Sequence, residues 1–146
     1  MREIKLSEIR KMLEAGGRRA QECGKPSTVA IVDFGGHLRG LERPEGGRIA
    51  NVDIAIKKAW TAIAFKRPTE MVRSVMMPEA FGYGLQHTDD RICMVTGGLP
   101  IVENGEFLGG IGVSGGLIEE DVAVCVEALK ACGFTTEFAD PLKAKK

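Results

Sequence analysis

The chain of 146 residues is short of the side chains that usually advertise chemistry: two histidines, one tryptophan, one tyrosine and a formal net charge of zero. With its 20 basic residues spread along the chain and matched by 20 acidic ones, it lacks the positive patch that nucleic-acid affinity rests on, and nucleic acid is excluded as a partner. No apolar run approaches the length of a bilayer span, and Met1-Arg2-Glu3-Ile4-Lys5 carries no apolar signal core, so the expectation is a cytoplasmic protein without a membrane partner. Cys23, Cys93, Cys125 and Cys132 make neither C-x-x-C nor a His-Cys zinc pattern. Cys125 and Cys132 fall about 10 Å apart along one helix, too far for a disulfide. All four read as reduced, mostly buried thiols.

What the chain has in excess is glycine, 19 residues concentrated in turns and in one stretch from Gly97 to Gly116. There, apolar segments flank Asn104-Gly105, the dipeptide that best tolerates the two positive φ values of a type I′ turn, which predicts a β-hairpin. Its second strand runs through Gly109, Gly110 and Gly112, residues that mark the close approach of another backbone or a ligand. A helix over Leu117 to Cys132 follows, with Glu119, Glu120 and Asp121 in its first turn, where the helix dipole favours negative charge. Gly110 to Gly115 fits G-x-G-x-x-G, but no second parallel strand follows the helix and the three carboxylates would repel a pyrophosphate. A dinucleotide site is rejected.

Upstream, apolar residues from Ile9 to Cys23 recur at helical spacing behind Ser7 as N-cap, with Gly16-Gly17 inside the helix pointing to a tight contact. Thr28 to Phe34 reads as a central strand, apolar on both faces except for Asp33, and a two-residue Gly35-Gly36 turn joins it to His37–Glu42. Asp33 is expected to accept bonds from turn amides. Asn51 is the expected cap of a helix ended by Pro68, Thr69 caps a short helix to Met76, and Arg91 to Thr96 reads as a strand. The order predicts one α+β domain over 1–146, with about five mainly antiparallel strands flanked by helices and a flexible tail over 136–146.

The candidate chemistry is sparse. His37 and His87 are the only imidazoles and the candidate metal ligands, His87 with Asp89 and Asp90 beside it. Arg43 and Glu45 follow the second strand; Lys58 and Thr61 lie on the next helix. If that helix sits beside the glycine-rich strand, these groups line a cleft where a cation pairs with a carboxylate or propionate. Gly110, Gly112 and Ser114 form its other wall, with Ser114 also a candidate helix cap.

Three ordered motifs carry a resemblance: Val29-Ala30-Ile31-Val32-Asp33 with Gly35-Gly36-His37-Leu38; Ile54-Ala55-Ile56-Lys57-Lys58-Ala59-Trp60-Thr61-Ala62; and Gly97-Gly98-Leu99-Pro100-Ile101 with Gly109 to Gly115 and Asp121. Together they make the chain resemble the GlcG/HbpS family, which includes the C-terminal domain of PduO-type corrinoid adenosyltransferases. The resemblance implies a profilin-like α/β/α sandwich, homo-oligomers such as a hexamer or octamer, and a heme or corrinoid (cobalamin-type) ligand. It departs from the family pattern at Arg43-Pro44-Glu45, at His87, and in a first helix without histidine. Two alternatives stand beside a small-ligand-binding module. One is an enzyme on a small hydroxy or oxo acid, with Arg43 or a lysine gripping the carboxylate and His87, Asp33 or Glu45 moving a proton. The other is an accessory subunit of a diol or corrinoid pathway.

Overall fold

The computed structural model describes residues 2–140, in the order α1 (Leu6–Glu22), β1 (Thr28–Asp33), β2 (Leu38–Glu42), α2 (Ala50–Phe65), α3 (Thr69–Met76), a 3-10 turn (Leu85–His87), β3 (Gly98–Glu103), β4 (Glu106–Ser114) and α4 (Ile118–Ala131). Asn104 and Gly105 take φ of 49° and 82°, and this double left-handed turn closes the β3–β4 hairpin. The sheet runs β2-β1-β4-β3 with every pairing antiparallel. β1 is an interior strand, and Val29 to Val32 are all buried, as a strand apolar on both faces requires.

Alternation along the strands sorts the core into two layers. Val29, Ile31, Ile111 and Val113 point to the face covered by α1 and α4, where they join Ile9, Met12, Val124 and Leu129. Gly16 lets these two helices close up: a Cβ there would stand 3.4 Å from Val124 and 3.6 Å from Ala128. Val32 points to the other face, against Ala59 and Ile63 of α2. The result is an α+β fold with one sheet between helical layers.

Among the described residues the sheet has four strands, not the five the sequence implied. Residues 91–96 form no ladder because Thr61 captures them: its hydroxyl donates to the Arg91 carbonyl (3.2 Å) and accepts from the Cys93 amide (2.8 Å), groups that a ladder would otherwise use. The β1–β2 connection is also longer than a two-residue turn. It spans Phe34 to His37, held by Asp33, whose Oδ1 accepts from the Gly35 and His37 amides at 3.0 and 2.9 Å.

Three helix starts differ from the expected caps. Lys5 and not Ser7 precedes α1, Ile49 and not Asn51 precedes α2, and Pro68 precedes α3, leaving the Thr69 hydroxyl to accept from the Gly98 amide at 3.0 Å. At the chain's start Arg2 binds Glu8 and Glu103 together, and these bonds hold both carboxyls below the usual range. The segment expected to fray from 136 is docked at its beginning, since Phe138 packs against the core; residues 141–146 lie outside the described residues.

Candidate functional site

The bare face of β4 is already covered. A Cβ on Gly110 would overlap the Ala59 carbonyl oxygen, and one on Gly112 would overlap the Ala55 carbonyl oxygen and lie 2.6 Å from the Ala59 amide. The glycines therefore admit the backbone of α2 against the sheet, and the cleft expected between this helix and the glycine-rich strand is closed. Ser114 caps no helix; its hydroxyl donates to Asn51 Oδ1 at 3.2 Å, and both are buried.

Lys58 lies at the same buried level, 1% exposed. Its ammonium donates to the Val113 carbonyl (2.7 Å) and faces Asp121 Oδ2 at 3.3 Å. Asp121 in turn accepts from the Gly116 amide at 2.9 Å. Burial pushes the Asp121 carboxyl up from its ordinary value, while Lys58 and the Gly116 amide pull it down. The pair ties α2 on one face of the sheet to α4 on the other. Cys125, one turn further along α4, is fully buried with its thiol directed at the Gly97 carbonyl, and burial raises its pKa well above that of an ordinary thiol. Lys58, Gly110, Gly112 and Ser114 are thus buried in the packing between layers, in place of the cleft the sequence implied, while Thr61 of the same helix is bonded to residues 91–93.

The two imidazoles are apart from this cluster. His37 is exposed at the tip of the β1–β2 connection, and His87 is exposed in the 3-10 turn of the segment tied to α2 and α3. Asp89 is committed to Arg91 through both oxygens, at 3.0 and 2.7 Å, and Arg91 stacks over Trp60 at 4.2 Å. No group of three metal-ligating side chains occurs among the described residues. Asp33, His87 and Glu45, candidate proton carriers, occupy three different places.

Arg43 and Glu45 are not brought to Lys58, Thr61 or the glycine-rich strand; they line a different groove. It lies between the C-terminal half of α1 and the end of β2, with a volume of about 700 Å³. Leu41, Pro26 and Pro44 supply accessible apolar surface over the buried Ala20 and Val29, and Lys25, Arg43, Glu42 and Glu45 bring two cations and two carboxylates to the lining. This size is that of a small-molecule site, and the mixture of apolar floor and few charged groups is what such sites present.

A family model described as haem degrading protein HbpS-like matches residues 4–130. The chain belongs to the HbpS-like family. Among curated proteins it is 35% identical over 127 residues to an uncharacterized 15.0 kDa protein from the dhaT-dhaS intergenic region of Citrobacter freundii, covering 86% of this chain and 89% of that one. It is 32% identical over 134 residues to the corrinoid adenosyltransferase PduO of the same organism, covering 91% of this chain but 40% of the enzyme's length. Among solved structures, a PduOC:heme complex superposes with a TM-score of 0.89 at 30% identity, covering 94% of this chain and all of the other.

Within this HbpS-like chain, Lys25 and Glu42 are the groove residues that sequence reasoning passed over. Lys25 lies between Gly24 and Pro26, in a segment read only as the end of a helix. That this lysine and Arg43 should line one groove follows from the return of β1 beneath α1, which no local pattern records.

Proposed function

We propose that this protein is a tetrapyrrole-binding module and that the ligand lies in the groove between α1 and β2. The observation that carries the reading is the coincidence of a groove of about 700 Å³, apolar at its floor and flanked by Lys25 and Arg43, with 30% identity to a protein solved in complex with heme. The residues present fit the organic part of a heme. Leu41, Pro26 and Pro44 would take the ring, and Lys25 and Arg43 the two propionates through charge-assisted hydrogen bonds. A corrinoid, whose periphery is mostly amides, makes less use of two cations, so the carboxylate-bearing ring is the better match.

Self-assembly belongs to the same reading, supported by Ile49 and Phe81, which are 84% and 83% exposed and which a second copy of the chain would cover. A cytosolic setting is supported by the four free thiols.

Absorption titration with hemin tests the proposal. Wild-type protein is expected to give a saturable, shifted Soret band, and Lys25→Glu with Arg43→Glu to weaken binding by about tenfold or more, two lost charge-assisted bonds being ample for that. Unchanged affinity in the doubly reversed variant would remove the ligand from this groove.

A further inference from the structure

Resting on that reading, we propose that the groove recognises a tetrapyrrole by its carboxylates and apolar faces and is indifferent to its central metal. Heme iron in proteins is held by imidazole, thiolate, thioether or phenolate. Among the described residues, no His, Cys, Met or Tyr lines the groove.

Most such side chains are placed elsewhere, and Cys23, half-buried at the C-cap of α1 between the lining residues Gln21 and Gly24, is not itself part of the lining. His37 and Arg43 stand at opposite ends of β2, about 20 Å apart at the usual rise of a strand. His87 and Tyr83 belong to the segment on the α2 and α3 side of the sheet, whereas the groove is walled by α1. Met12 and Cys125 are sealed in the core, and the Cys132 thiol is directed at the Glu8 carbonyl on the far half of α1. What the groove offers is Lys25 and Arg43 for anions, Gln21 and two exposed carboxylates at the rim, and apolar surface from Leu41, Pro26 and Pro44. Each of these acts on the periphery or the face of the ring, which is the same whether the centre holds iron, another metal or two protons.

The experiment compares hemin with metal-free protoporphyrin IX on the full chain, by absorption titration and equilibrium dialysis, for wild type, His37→Ala with His87→Ala, and Lys25→Glu with Arg43→Glu. Dissociation constants for the two ligands are expected to agree within about threefold, to stay so in the double histidine variant, and to weaken together in the charge-reversed one. The histidine variant also removes any imidazole that a second copy could bring to the groove. Hemin binding tenfold or more tighter than protoporphyrin IX would overturn the inference and leave the proposed function standing. Loss of that preference in the histidine variant would then assign the iron to an imidazole. Failure of both ligands to bind a wild-type protein of native circular dichroism would overturn the proposed function, and this inference with it.

Discussion

Gly112→Val is expected to cost about 3 kcal/mol or more of stability, the upper end of what overpacking a well-filled interior costs. The obstacle is backbone, not side chain. A Cβ at Gly112 would overlap the Ala55 carbonyl oxygen and crowd the Ala59 amide at 2.6 Å and Lys58 Cβ at 2.9 Å, so no rotamer change can relieve it. Either α2 must lift away from β4, opening the layer that holds Ala59 and Ile63 against Val32, or β4 must leave its register. Gly17→Ala is the matching control. Its new methyl group meets nothing closer than Glu42 Oε1 at 3.9 Å, and in a helix the exchange favours the fold by up to about 1 kcal/mol. Urea denaturation midpoints should therefore move in opposite directions for these two glycines. A Gly112→Val protein as stable as wild type would mean that α2 does not lie where it is described.

Cutting either partner of the buried ion pair is the second large effect. Lys58→Ala or Asp121→Ala leaves a charge uncompensated between the layers, at side-chain exposures of 2% and 6% in the native pair, and each should destabilise by about 3–5 kcal/mol. The joint change Lys58→Met with Asp121→Leu removes both charges and keeps much of the volume. It should recover part of that loss, but not all, because the Val113 carbonyl and the Gly116 amide each lose a partner. A double-mutant cycle read by denaturant unfolding measures the coupling directly. Strictly additive single effects would show that the two groups do not act as a pair.

Both predictions mark where sequence and structure part. The hairpin at Asn104-Gly105, the interior strand Thr28–Asp33 and the tight contact at Gly16 were legible because each follows from a local rule: two positive φ values, apolar residues on both faces, a missing Cβ in a helix. The run Gly109-Gly110-Ile111-Gly112 signalled close approach, and close approach is what it gives. A glycine facing a helix backbone and one facing a ligand are the same letter, so the occupant could not be read. Lys58 carried the opposite ambiguity. Beside Lys57 it looks like one of two solvated lysines, and only the helix phase that points it at Asp121 across the sheet end buries it. The extra strand at 91–96 failed for a third reason, since its β-forming residues could not reveal that a hydroxyl 30 residues earlier claims their backbone. Arg43 and Glu45 were assigned to a cleft with α2 and line a groove beside α1 instead, where the fold also brings Lys25.

The most direct test is the position of the bound ring. In a crystal structure of the full chain grown with hemin, the macrocycle is predicted to lie between α1 and the end of β2, over Leu41, with its propionates within hydrogen-bonding distance of Lys25 and Arg43. A ring on the opposite side of the sheet, ligated by His87 beside α2, would contradict the account.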